Sequence, residues 1–109
     1  MKVRLLSGDL LFGSKVEGMI REAGFEVVGD PDPDVVLGIA DLTDSSVDVR
    51  GAFVEVGGEK GLVPTLAYYA HTDDDVRKAA LDAGFSLVVP RSRMMREGPA
   101  LIQKLAADT

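Results

Sequence analysis

The run Val35-Val36-Leu37-Gly38-Ile39-Ala40 constrains this chain more than any other segment. It holds no polar side chain and reads as a strand buried on both faces. A strand of that kind needs cover on each side. Around it, segments with strand-like patterning alternate with segments whose apolar residues recur at three and four. That order implies a mainly parallel sheet with helices on both faces, a doubly wound α/β domain.

Val3-Arg4-Leu5-Leu6 reads as the first strand and Ser7-Gly8-Asp9 as a turn. Phe12, Val16, Met19, Ile20 and Ala23 mark one face of a helix, and Gly24 stands where a left-handed C-cap is wanted. Phe25 to Val28 is the second strand. Pro31 and Pro33 then block helix continuation. Residues 29–34 are too few for a helical crossover, so either the helix between the second and third strands is lost or the second strand is short or irregular; loss of the helix is the expectation. Asp41 lies at the end of the third strand. Within 42–61, Val49, Ala52, Phe53 and Val56 fit a helix stopped by Gly57-Gly58, while the valine-rich composition leaves a strand or irregular loop open. A fourth strand is expected within Leu62–Ala70, starting near Pro64. Thr72-Asp73-Asp74-Asp75 resembles a capping box with Asp in place of Glu. Val76, Ala79, Ala80 and Ala83 give its helix a buried stripe, and Gly84 ends it. Phe85 to Val89 is the last strand. Gly98-Pro99 is expected to open the last helix, with Leu101, Ile102 and Leu105 facing inward.

The 109 residues fit one domain, 1–109. No apolar run approaches the roughly 18–20 residues of a membrane span, and the opening apolar stretch is too short for a secretory leader. With no cysteine, disulfides and thiolate metal sites are excluded. A cytoplasmic location is expected. The net charge is −6, and residues 1–70 hold twelve acidic against six basic side chains. An acidic body argues against nucleic-acid binding, which needs clustered Lys and Arg. The one basic cluster is Arg91, Arg93 and Arg96, a candidate contact for an anion or an acidic partner.

Pro64-Thr65-Leu66-Ala67-Tyr68-Tyr69-Ala70-His71 is followed by an acidic helix start and by Ala80-Leu81-Asp82-Ala83-Gly84-Phe85-Ser86-Leu87-Val88-Val89-Pro90. Together these resemble the fourth strand, fourth helix and fifth strand of a bacterial response-regulator receiver domain. Phe25-Glu26-Val27-Val28 and Pro33-Asp34-Val35-Val36-Leu37 extend the resemblance to essentially the whole chain. It implies a flavodoxin-like five-stranded sheet. It also implies a site at the strand ends where an acidic pair holds Mg²⁺, an Asp accepts a phosphoryl group, and a Ser or Thr and a Lys hold its oxygens. Here Ser7-Gly8 stand for the acidic pair, with Asp9 one place later, and Asp41 stands for the phosphoacceptor. Asp48 keeps a family-like separation from Asp41 but is followed by Val49 where the family has glycine. Tyr69 takes the hydroxyl position, and Val89 replaces the Lys before Pro90, with Arg91 next. The likeness is to a degenerate, pseudo-receiver form.

Each candidate has a plainer alternative. Asp41 is a phosphoacceptor or a solvated residue opening a loop. Asp9 joins Asp41 on a Mg²⁺ ion or caps the first helix. Asp30, Asp32 and Asp34 evoke a calcium loop but lack its glycine and distal glutamate, and a rigid acidic turn fits them better. His71 is a general base or a helix-entry residue. The arginine cluster binds an anion or partner or is a solvated loop. Tyr68 and Tyr69 point to opposite faces of the sheet. Met94 and Met95 form a contact patch or pack the last helix. No residue is assigned a catalytic role and no cofactor is required. Three functions follow. The first is a non-enzymatic signalling or interaction module that binds a protein partner or itself through the last helix pair and final strand. The second is an atypical Mg²⁺-dependent phosphoacceptor using Asp41, Asp9 and Arg91. The third is a small-anion binder built on Ser7-Gly8-Asp9 and Thr72-Asp73. None involves nucleic acid or a membrane.

Overall fold

Strands β1 (Lys2–Leu6), β2 (Glu26–Val28), β3 (Val35–Leu42), β4 (Thr65–Tyr69) and β5 (Leu87–Pro90) form one sheet in the order β2-β1-β3-β4-β5. Every neighbouring pair is parallel. Helices α1 (Leu10–Glu22), α2 (Val49–Glu55), α3 (Asp74–Ala83) and α4 (Arg91–Ala107) connect and cover it. This is a computed structural model, and it describes residues 1–44, 46–58, 61, 63–70 and 72–107. Among these residues no helix is long and apolar enough to cross a membrane.

The two-sided burial expected of β3 is met residue by residue. Leu37 and Ile39 join Val3, Leu66, Tyr68 and Val89 beneath α1 and α4, where Phe12, Val16, Ile20, Met94 and Ile102 complete one core layer. Ala40 and Leu42 turn the other way, toward Ala52, Val56, Ala67, Tyr69, Val76 and Ala80. Gly38 belongs to that second face. A Cβ there would collide with the Val56 carbonyl oxygen and stand 2.8 Å from the Val56 Cβ. The end of α2 sits directly on the strand, and only glycine leaves room for it.

Aspartates start the three helices that follow loops. Asp9 accepts from the N–H groups of Leu11 and Phe12, Asp48 from Gly51 and Asp73 from Val76. Each satisfies backbone donors that have no partner within the helix. For α3 the cap is Asp73, one residue after the Thr72 of the expected capping box. Gly24 and Gly84 close α1 and α3 at φ 98° and 110°, conformations that a side chain disfavours.

The last helix departs from expectation. It begins at Arg91, directly after β5, and Pro99 lies inside it. Arg91, Arg93 and Arg96 are therefore helical and do not form a loop. Packing overrides the proline signal. Met94, Gly98, Leu101 and Ile102 make one buried stripe at helical spacing, and α1 lays Met19 against Gly98. Met94 is core, whereas Met95 is exposed. The strand limits also shift: β4 begins at Thr65, β5 at Leu87, and β3 runs two residues past Ala40 to include Asp41. Leu62, within the expected fourth strand, lies outside the described residues.

No helix separates β2 from β3; residues 29–34 form bends and turns. The sheet face that such a helix would cover carries Lys2 and Arg4. Lys2 pairs with Asp32 of the connecting loop, and Arg4 pairs with Glu55, each at 2.7 Å. Alternation along β1 thus puts Val3 and Leu5 on the face beneath α1 and α4, and Lys2 and Arg4 on the other, where Leu6 packs into the second core layer.

Candidate functional site

Asp41 is the penultimate residue of β3, and both of its carboxylate oxygens are engaged. Oδ1 accepts from the Thr43 N–H at 2.9 Å and from the Thr43 hydroxyl at 2.6 Å. This is an Asx-type turn that lets the chain leave the strand. Oδ2 accepts from the Ser7 hydroxyl at 2.9 Å. The register that sets Leu6 beside Ala40 brings the residue after β1 to Asp41. Ser7 Oγ also accepts from the Asp9 N–H at 3.3 Å, which ties the turn after β1 to the end of β3.

Asp9 is committed too. Its Oδ1 caps α1 through Leu11 and Phe12. Its Oδ2 lies 3.8 Å from Arg91 Nη2 in a half-exposed ion pair, a contact worth at most about 1 kcal/mol. The Arg91 guanidinium rests 4.0 Å from the Phe12 ring centroid, which fixes the cation over the start of α1. A cation opening a helix opposes the helix dipole, and here Asp9 and the ring face offset that.

Tyr68 lies opposite Asp41 in the β3–β4 register. It is fully buried, with its ring 5.1 Å from that of Phe12. Burial pushes its phenol well above the usual range, and the Asp41 charge adds to the effect. The hydroxyl lies close enough to Ser7 and Asp41 to feel both, yet makes no hydrogen bond of acceptable geometry. Tyr69, expected at the hydroxyl position, packs into the opposite core layer. The phenol beside Asp41 belongs to its neighbour, because side chains alternate along a strand.

Above these residues is an open cleft of about 620 Å³, lined by Gly8, Asp9, Asp41, Thr43, Ala70 and Arg91 among others. Asp44 on its rim holds the Ser46 N–H and hydroxyl, and those bonds keep its carboxyl below the usual range. Asp9, Asp41 and Arg91 thus share one place. Arg93 and Arg96 do not join them and pair with Glu97 at 3.2 and 3.7 Å. Asp32 of the acidic turn is held by Lys2 and by the Asp34 N–H. His71 lies outside the described residues. Sequence reading missed the roles of Thr43 and Tyr68. The Asp-x-Thr spacing carried a signal for the first, but the second depends on register.

Magnesium takes octahedral oxygen ligands at about 2.0–2.1 Å, usually one or two carboxylates and several waters. The residues in this cleft do not fit that ion as they are arranged. Asp41 brings a single lone pair, on Oδ2 beside its bond from Ser7, and the remaining oxygen of Asp9 faces the Arg91 guanidinium, so no second carboxylate is turned toward it. Among the described residues no group of three or more His, Cys, Asp or Glu is placed to hold a metal.

No protein-family model and no curated protein matches the sequence. Solved structures do match. A response-regulator receiver domain from Clostridium thermocellum superposes with a TM-score of 0.77 at 11% identity, covering 97% of this chain and 94% of that one. The receiver domain of a sensor histidine kinase from Pseudomonas aeruginosa PAO1 gives 0.75 at 16% identity over 98% of both chains. That structure has a magnesium ion coordinated in its active-site cleft. An orphan response regulator of H. pylori gives 0.62 at 14% identity, covering 98% and 94%. Together with the β2-β1-β3-β4-β5 parallel sheet, these matches show that the chain has the receiver-like, flavodoxin-like fold, without the helix between β2 and β3.

Proposed function

We propose that this chain is a receiver-like signalling module that works by binding protein, without enzymatic activity and without phosphorylation by the usual Mg²⁺-dependent route. One observation carries the reading: both oxygens of the Asp41 carboxylate are engaged, Oδ1 by the Thr43 N–H and hydroxyl and Oδ2 by the Ser7 hydroxyl. A phosphoacceptor must present a free oxygen in line with the incoming phosphorus, beside a metal that offsets the charge. The one lone pair left on Asp41 Oδ2 stands beside its bond from Ser7, and the nearby cation among the described residues is Arg91, not a metal site built from carboxylates. The same geometry weighs against an anion site at the helix starts, since Asp9 and Asp73 already occupy them with carboxylates. For the partner surface we assign the sheet edge formed by α3, β5 and α4. There Leu81, Met95 and Arg96 are exposed and Arg93 is half-buried, a mixture suited to an acidic protein partner or a second copy of the chain. A cytoplasmic location accords with this role.

Amide NMR spectra recorded with Mg²⁺, then with beryllofluoride added, test the reading. Spectra unchanged at millimolar Mg²⁺ are expected. Shifts centred on Asp41, Asp9 and residues 69–72, abolished in Asp41→Asn, would establish the phosphoacceptor alternative instead. Sedimentation equilibrium over a range of concentrations then separates self-association from a different partner.

A further inference from the structure

The face of β1 that carries Arg4 borders a second cleft, of about 390 Å³, which shares no described lining residue with the one at Asp41. This volume falls within the roughly 300–1,000 Å³ of small-molecule sites. Its described walls are mainly apolar: Pro31 and Pro33 from the short connection, Val35 from β3, and Val56 and Val63 from beyond α2, with Asp32 also in the wall, its carboxylate paired with Lys2 at 2.7 Å. Arg4 lies among them and is the only basic residue among the described lining residues.

Arg4 is an unusual residue for the middle of a parallel strand. Its side chain is only 9% exposed. A buried guanidinium needs its charge matched and its N–H groups satisfied. Nε donates to the Gly29 carbonyl at 3.2 Å, and Nη2 donates to Glu55 Oε2 at 2.7 Å. Glu55 ends α2 and is 58% exposed. The two partners therefore differ. The guanidinium is held in the wall, while the carboxylate reaches it from a side chain that is more than half exposed. The short charge-assisted bond shows which chemistry the wall accepts.

We propose that this cleft binds a small carboxylic acid with an aliphatic body. The ligand carboxylate takes the place of Glu55 on Arg4, and its chain lies against the prolines and valines. Glu55 is then an internal competitor that keeps Arg4 paired when the site is empty. The proposal is independent of any reading of Asp41.

Octanoate and its uncharged counterpart octanamide are the probes, titrated into isotope-labelled protein. Octanoate is expected to bind saturably, shifting the Arg4 Nε–H and the methyls of Val35, Val56 and Val63. Octanamide is expected to bind about tenfold more weakly or worse, because a hydrogen bond to a charged group is worth about 1.5–3 kcal/mol. Glu55→Gln removes the competitor at an exposed position and is expected to tighten octanoate several-fold. Equal binding of acid and amide would overturn the proposal, as would octanoate affinity unchanged in Glu55→Gln. Absence of shifts at those residues under saturating octanoate would reduce the Arg4–Glu55 pair to a structural contact.

Discussion

The Ser7 hydroxyl donates a 2.9 Å hydrogen bond to Oδ2 of Asp41 across 34 residues of sequence. This bond joins the ends of two neighbouring strands and holds in place the carboxylate on which a receiver's chemistry would depend. Ser7→Ala is expected to cost about 1 kcal/mol, the usual net worth of such a bond. Asp41→Ala strands the Thr43 N–H and hydroxyl as well and is expected to cost about 1–3 kcal/mol. Urea denaturation of both single variants and the double variant checks this, and the double variant should cost less than the sum of the singles.

Tyr68→Phe should not destabilise the protein. Its hydroxyl is buried without a hydrogen bond, and a buried polar group left unmatched costs roughly 1–3 kcal/mol by mutational measures. Deleting the oxygen removes that cost and keeps the ring against Phe12. The melting temperature is expected to hold or rise by a few degrees. A clear fall would mean that the hydroxyl has a bonding role.

The same phenol makes an alkaline prediction. Its folded pKa lies above the ordinary 10.0 because burial, and then Asp41, disfavour the phenolate. The unfolded chain therefore releases this proton first as pH rises. The associated stability is complete below pH 10 and is lost progressively above it. Thermal melts of wild type and Tyr68→Phe from pH 8 to 11.5 should show the wild type losing more.

At the acid end the sign reverses. Asp32 is held below the ordinary 3.8 by Lys2 and the Asp34 N–H, Asp44 by the Ser46 N–H and hydroxyl, and Asp74 by Arg77 and Lys78. Their contribution is present above pH 3.8 and declines as pH falls through the lowered values. All three are exposed enough for salt to screen the charge pairs. Melting temperatures from pH 6 to 2.5 should therefore drop less steeply for Asp74→Asn than for wild type, most visibly at low ionic strength.

Gly38→Ala should be costly despite its small size. The added methyl meets the Val56 backbone, which cannot swing aside as a flexible side chain could. A loss of about 1–3 kcal/mol is expected from forced overpacking. Gly98→Ala meets the Met19 thioether, which can rotate, and should cost less. Chemical denaturation of the pair ranks the two sites.

Much of the architecture could be read from pattern alone. The apolar run of β3, the glycine stops after α1 and α3 and the short proline-locked connection each name one physical constraint, and each appears in the fold. The start of α4 was hidden because Gly98-Pro99 is a strong local signal. The stripe that defeats it, Met94-Gly98-Leu101-Ile102, includes a glycine and so does not look apolar by composition. The candidate site was legible only in part. Asp9, Asp41 and Arg91 could be placed near one another from strand order. The hydrogen bonds of Thr43 and Ser7, and the choice of Tyr68 over Tyr69, depend on register and on which face a side chain meets. Periodicity cannot fix either across β-strands far apart in sequence.

The absence of a helix after β2 gives the sheet two unlike borders. β5 is flanked by α3 and α4, whereas β2 has only three residues, hangs from β1 and is packed by α1 on one side alone. Local opening is cheapest where little apolar surface must be exposed. Glu26–Val28 and the loop after them should therefore exchange their amide protons well before β3 and β4, opening as a separate unit while the other four strands stay shut. The domain has a rigid border, where we place its protein partner, and a soft one that can breathe around Arg4.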